Sequence, residues 1–126
     1  MDFSKIKYDF EIDLATAHTR TSKKWRNRHW KWSELLEKCS QTRRTGETAA
    51  EYARMSRDEQ SSVKDVGGFV GGYLSGGVRK NSSVLYRSVA TLDIDYGTVN
   101  VWEDFTLAFN FAAMLYSTHR HSRETP

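Results

Sequence analysis

From Gly67 to Gly77 the chain reads GGFVGGYLSGG, six glycines in eleven residues, and no other stretch restricts the fold as strongly. Glycine has no Cβ, so its backbone can approach another strand or a ligand closely. One reading is a loop whose backbone N–H groups wrap a phosphate. The spacing, however, is neither GxxxxGK[ST] nor GxGxxG. Paired glycines around short apolar runs, here Phe69-Val70 and Tyr73-Leu74, more often mark turns and tight sheet packing. The pattern favours that second reading.

Few other breaks interrupt the chain. Its one proline is the last residue, and it has neither a Pro/Gly/Ser linker nor an internal repeat. The 126 residues therefore read as a single domain, long enough to bury a core. With 38% hydrophobic and 28% charged residues, the composition is that of a soluble globular chain. No apolar run is long enough to span a membrane, and the opening MDFSKIKYDF alternates charge with apolarity, unlike a signal peptide or anchor. A cytoplasmic location without a membrane partner is expected. Cys39 is the single cysteine, which rules out an intrachain disulfide and a cysteine-based zinc cage.

Periodicity suggests the elements. Tyr8 to Ala15 alternates as a strand does. Trp32, Leu35, Leu36 and Cys39 fall on one face of a helix over 32–39, which makes Cys39 a buried structural thiol rather than a nucleophile. A further helix is expected from Glu47 to about Arg57, starting near Thr45 or Gly46. Ser83 to Asp95 (SVLYRSVATLDID) reads as a strand entering the core. Asn100 and Glu103 then have capping-box spacing, and the helix that follows aligns Trp102, Phe105, Phe109 and Ala112. Ala113 to Thr118 reads as a second strand ending at His119. Strand, helix and strand in this order make a βαβ unit or an RRM-like variant of it.

Within that scheme Asp93 and Asp95, two apart on a strand, face the same side. Two adjacent carboxylates repel unless a cation lies between them. Hard oxygen ligands favour Mg²⁺ in that role, although a solvated strand end would also accommodate both acids. Ser117 and His119 share a face of the next predicted strand, from which His119 could reach a metal-held phosphate.

LDID resembles the hDhD motif (h being apolar) of the archaeo-eukaryotic primase superfamily, and STH resembles that superfamily's sxH motif. The likeness covers residues 60–126 well and the N-terminal third loosely. It implies an α/β (α+β) fold: a partial RRM-like primase-polymerase core, with a mixed sheet and flanking helices. It also implies the N-terminal part of a phage or mobile-element replication protein in a bacterial host cell. The resemblance makes Asp93 and Asp95 ligands of catalytic Mg²⁺ or Mn²⁺, and Asp93, Asp95 and His119 the catalytic set. Ser117 and His119 become nucleotide contacts, with Arg79 and Lys80 as phosphate or template contacts. Nucleoside triphosphates and a single-stranded DNA template are the implied partners, with a helicase domain in the parent protein. The reaction would be nucleotidyl transfer, with one metal activating a 3′-hydroxyl and the other stabilising pyrophosphate. The superfamily's third carboxylate is missing, since Glu124 lies too close to His119 to replace it. The chain is then expected to be a piece of a longer primase or a shortened relative without catalysis.

A second reading needs no catalysis. Residues 20–31 carry Arg20, Lys23, Lys24, Arg26, Arg28 and Lys31 without an acid, although the formal net charge is only +3. KKWRNRHWKW interleaves Trp25, Trp30 and Trp32 with cations, a composition suited to stacking bases and tracking phosphates. Lys23, Lys24, Trp25, Arg26 and Arg28 are the candidate nucleic-acid contacts. Alternatively, the tryptophans anchor the following helix and the cations are solvated, or the shortened fold binds a protein. His119-Arg120-His121 superficially resembles the histidine pair of HUH nucleases, but arginine stands between the histidines and no tyrosine follows.

Overall fold

The computed structural model describes residues 2–3 and 5–119. The chain divides after Thr91 into two compact units.

The first unit is built on β1 (Glu11–Ala17), the middle strand of an antiparallel sheet ordered β2-β1-β3, with β2 at Arg26–Lys31 and β3 at Gly68–Val70. Side chains alternate faces along a strand, so β1 can serve two cores. Ile12 and Leu14 are buried on one face, and Ala15 is buried on the other. Ala15 packs with Trp25 and Leu74, with Ala17, Val70 and Val84 around them.

Ladder pairing begins at Glu11, opposite Lys31, rather than at the expected Tyr8. The residues before it brace the next helix, α1 (Trp32–Ser40). Phe10 stacks on Trp32 with centroids 5.6 Å apart and accepts the Trp32 N–H at 2.9 Å. Asp9 accepts from the Ser33 N–H and hydroxyl, both at 2.8 Å. Trp32 and Leu35 are buried as the helical spacing predicts, and Cys39 is half-buried.

The helix expected over 47–57 is two helices, α2 (Ala49–Arg54) and α3 (Arg57–Val63). Each begins with a reciprocal cap. The Thr48 and Ser56 hydroxyls accept from the Glu51 and Glu59 N–H groups, whose carboxylates accept from the cap N–H groups at 2.7 Å. Such a pair satisfies two N–H groups that the helix leaves open, so Ser56 starts a new helix.

The glycine-rich stretch forms β3, β4 (Gly72–Leu74) and a 3-10 turn over Ser75–Gly77; β4 then pairs antiparallel with β5 (Val84–Arg87). A Cβ on Gly71 would lie 2.2 Å from the Val89 carbonyl oxygen, and one on Gly72 would lie 2.2 Å from that of Tyr86. Close backbone approach is thus what these glycines provide, as sheet packing requires.

The strand expected from Ser83 to Asp95 ends at Arg87. Beyond it the Ser88 and Val89 N–H groups both donate to the Gly71 carbonyl, and the Ser88 hydroxyl accepts from the Asp13 N–H. The chain is pinned there and leaves the ladder.

In the second unit, residues 92–100 are loop and turn and α4 spans Val101–Ala108. Asn100 occupies the cap position, but its side chain makes no capping bond. Trp102, Phe105, Phe109 and Phe111 form a chain of ring contacts, with centroids 5.1–6.1 Å apart. Residues 113–118 form no strand. The strand–helix–strand unit is therefore not formed among the described residues. The fold is α+β, with small antiparallel sheets and short helices.

Candidate nucleic-acid interface

A cleft of about 450 Å³ opens on the first unit, with Arg79, Lys80, Asn81 and Arg87 on its walls, Phe69 and Val70 along one side and buried Leu74 at its base. The glycine turn sets the position of the cations. Gly77 has φ 63°, in the region where a side chain is strained, and a Cβ there would meet the Trp25 carbonyl oxygen at 2.7 Å. That close approach lets the Gly77 carbonyl accept the Trp25 N–H at 2.8 Å, which ties the segment leading to Arg79 and Lys80 to the chain just before β2.

Arg79 is the best positioned of the three. Its guanidinium lies 5.2 Å from the centroid of the Trp25 ring, and its Nη1 donates to the Arg20 carbonyl at 3.3 Å. A cation over an indole face is attracted by the ring quadrupole. Lys80 leads into a second 3-10 turn, accepting the Ser83 N–H at 2.9 Å. Arg87 sits at the end of β5, opposite Gly72.

Trp25 is therefore not the exposed stacking residue that the basic strip suggests. It is buried, at 5% exposure, with its indole N–H donating to the Ser22 carbonyl at 3.0 Å. An aromatic ring between the strip's cations and the β1 face contributes more by filling the core than by facing solvent. The rest of the strip is surface. Lys23 and Lys24 lie in the loop before β2, and Arg26 and Arg28 are exposed on β2, where Arg28 Nε donates to the Thr16 hydroxyl at 3.3 Å. Strand alternation sets Arg26, Arg28 and Trp30 on one face and Asn27, His29 and Lys31 on the other. Trp32 anchors α1, and Trp30 is half-buried with the Lys38 ammonium 5.9 Å from its ring.

On the second face His29 lies between two acids, with Nδ1 2.8 Å from Asp13 and Nε2 3.1 Å from Glu11. The hydrogen bond to Asp13, followed by that to Glu11, raises the His29 pKa above its ordinary value. Asp13 is lowered by His29 and then by Tyr86, whose hydroxyl donates to it at 2.7 Å.

Asp93 and Asp95 are exposed in the loop before α4, so no strand aligns their side chains on one face. Ser117 and His119 are exposed and lie outside any helix or strand. No group of three or more His, Cys, Asp and Glu side chains is arranged to hold a metal ion among the described residues. Among the described residues, Asp93 and Asp95 therefore belong to no such group of three. Arg120, His121 and Glu124 lie outside the described residues.

Sequence reasoning placed Arg79 and Lys80 together but missed Phe69, Asn81 and Arg87. Only the glycine pairs hinted that these residues would meet, because they mark where β3 and β4 are approached by other backbone.

The VapE N-terminal domain family matches residues 1–126. No curated protein and no solved structure matches the chain.

Proposed function

The chain belongs to the VapE N-terminal domain family, and from that premise we propose that it is a nucleic-acid-binding domain at the front of a phage or mobile-element replication protein. The observation that carries this reading is the convergence of Arg79, Lys80 and Arg87 on one cleft. Cations that neutralise backbone phosphates release counterions, and this gives affinity with little dependence on sequence. Lys23, Lys24, Arg26 and Arg28 add exposed positive charge to the same unit. Residues 1–91 hold seventeen of the nineteen Lys and Arg side chains, which draws a polyanion to this unit.

The test is anisotropy of a labelled single-stranded oligonucleotide across a salt series, for the wild type and an Arg79→Ala/Lys80→Ala/Arg87→Ala variant. The variant is expected to bind more weakly, with a log–log salt slope shallower by about 2. Equal affinity and slope in the two proteins would overturn the proposal.

A second reading keeps the nucleotidyltransferase resemblance, with Mg²⁺ or Mn²⁺ and a nucleoside triphosphate at Asp93, Asp95, Ser117 and His119. It is supported by the LDID and STH motifs and by the exposure of both carboxylates. Calorimetric titration of a nucleoside triphosphate with Mn²⁺ decides it. Metal-dependent binding lost in Asp93→Ala/Asp95→Ala would favour this reading, and the absence of binding in the wild type would remove it.

A further inference from the structure

We infer that the second unit is a docking face for a protein segment that carries cationic and apolar side chains together. The inference concerns residues 92–119 alone and does not rest on the nucleic-acid reading.

Burial comes first. None of the described residues 92–119 is buried, although the stretch is rich in large apolar side chains. Tyr96 is 96% exposed, Val99 89%, Leu107 87% and Phe111 72%. Exposed apolar residues scattered singly are ordinary, but a contiguous set marks a surface that another molecule covers. The rings make this set contiguous. Trp102 stacks on Phe105 with centroids 6.1 Å apart, Phe105 meets Phe109 at 5.1 Å, and Phe109 stacks on Phe111 at 5.6 Å. Trp102 and Phe105 are three apart in α4 and so share a face of the helix. The Phe109 N–H donates to the Phe105 carbonyl at 2.9 Å, which continues the row past the end of the helix. Aromatic rings of this kind are enriched where protein partners meet, with Trp among the residues that carry most of the binding energy.

Charge identifies the occupant. Residues 92–119 contain Asp93, Asp95, Glu103 and Asp104 but no Lys or Arg. All four acids are exposed. Glu103 and Asp104 stand in the first turn of α4, next in sequence to Trp102 and Phe105. Such a face repels phosphates, which disfavours a nucleic acid or an anionic lipid surface as its cover. Two copies of this face packed on each other would set acid against acid. A segment with Lys or Arg beside its apolar side chains meets both requirements, since it covers the rings and pairs with the carboxylates. A basic amphipathic helix is the simplest segment with that pattern.

The experiment titrates the whole chain against two labelled synthetic amphipathic helices of equal length, one built of Leu and Lys, the other of Leu and Glu. Wild type is expected to bind the Leu/Lys peptide saturably and the Leu/Glu peptide about tenfold more weakly. Phe109→Ser/Phe111→Ser removes two exposed rings outside α4. It should weaken Leu/Lys binding about tenfold and keep the wild-type melting temperature. Glu103→Lys/Asp104→Lys should reverse the order of the two peptides. Arg79→Ala/Lys80→Ala/Arg87→Ala should bind the Leu/Lys peptide as wild type does, so a failed nucleic-acid reading leaves this one standing. No saturable binding of the Leu/Lys peptide to wild type would overturn the docking face. Equal wild-type affinity for the two peptides, or full affinity in the ring variant, would do the same. Sedimentation of wild type without peptide tests the other occupant. A dimer that Phe109→Ser/Phe111→Ser abolishes would give the face to a second copy and overturn the inference.

Discussion

Asn27 closes both backbone groups of Leu74 with one side chain: its Nδ2 donates to the Leu74 carbonyl at 2.8 Å, and its Oδ1 accepts the Leu74 N–H at 2.9 Å. An amide used in this way imitates a neighbouring strand, and it fastens β2 to β4 where no ladder joins them. Leu74 is 1% exposed and lies in the core beside Ala15 and Trp25. Its N–H and C=O would otherwise be buried without partners.

Asn27→Ala should therefore cost about 2–4 kcal/mol, because two buried backbone groups lose their partners at once. Urea unfolding followed by tryptophan fluorescence measures this. Asn27→Asp, which keeps the acceptor and sets a carboxylate against the Leu74 carbonyl, should also be destabilised. A loss below about 1 kcal/mol in Asn27→Ala would mean that water replaces the amide without penalty.

Asn27 also shows what was legible in the sequence and what was not. The stripe of Trp32, Leu35 and Cys39 was readable because a 3.6-residue period needs no distant partner. Strand β2 (RNRHWK) was not, since its residues show no apolar alternation. It exists because β1 pairs with it and because Trp25 and Asn27 reach across to Gly77 and Leu74. The opposite error occurred at 89–95, where VATLDID has the composition of a strand but no ladder to join. At Ser56 the S-x-x-E signature lay in plain view inside an apparently continuous helix. Of the candidate site, Arg79 and Lys80 were legible as adjacent cations. Phe69, Asn81 and Arg87 were not, because turns and a sheet edge distant in sequence bring them together.

The glycine pairs make a sharper test of close packing. Gly71→Ala and Gly72→Ala each place a methyl 2.2 Å from a carbonyl oxygen of the backbone, which cannot swing away as a side chain can. Each should lose about 3 kcal/mol of stability. Gly68→Ala, whose Cβ would meet nothing within 4 Å, should stay within about 0.5 kcal/mol of wild type. Thermal melts of the three variants are the measurement. Equal losses at Gly68 and Gly72 would contradict the packing described for β4 and β5.

Cys39 should behave as an inert thiol. Burial pushes its pKa above the ordinary value, with Lys38 opposing more weakly. Only the thiolate attacks disulfides, so a raised pKa and restricted access act in the same direction. At pH 8 its reaction with Ellman's reagent should be about tenfold slower in the native protein than in the urea-unfolded chain. Equal rates would place Cys39 on an open, reactive surface.

The His29 clamp makes the stability of the fold depend on pH. Glu11 and Asp13 on β1 face its two nitrogens, Lys31 is the β2 residue paired with Glu11, and Tyr86 reaches the site from β5 through Asp13. Because the folded pKa of His29 is raised, its charged form is favoured in the native state. That contribution is fully present below the unfolded value near 6.5 and is lost as pH rises through the folded pKa. Asp13 has the opposite sign: its folded pKa is lowered, so its contribution holds above 3.8 and disappears as pH falls through the folded value. Between these limits the imidazolium and the Asp13 carboxylate are charged together, and the wild type should be most stable there. On the alkaline side, melting temperature should fall as His29 loses its proton. His29→Gln, which can still donate to one acid but carries no charge, should flatten that alkaline decline and leave the acid limb set by Asp13. Melting curves from pH 4 to 9 would show this. An alkaline limb identical in the two proteins would assign the decline to another group and leave the His29 bridge without energetic weight.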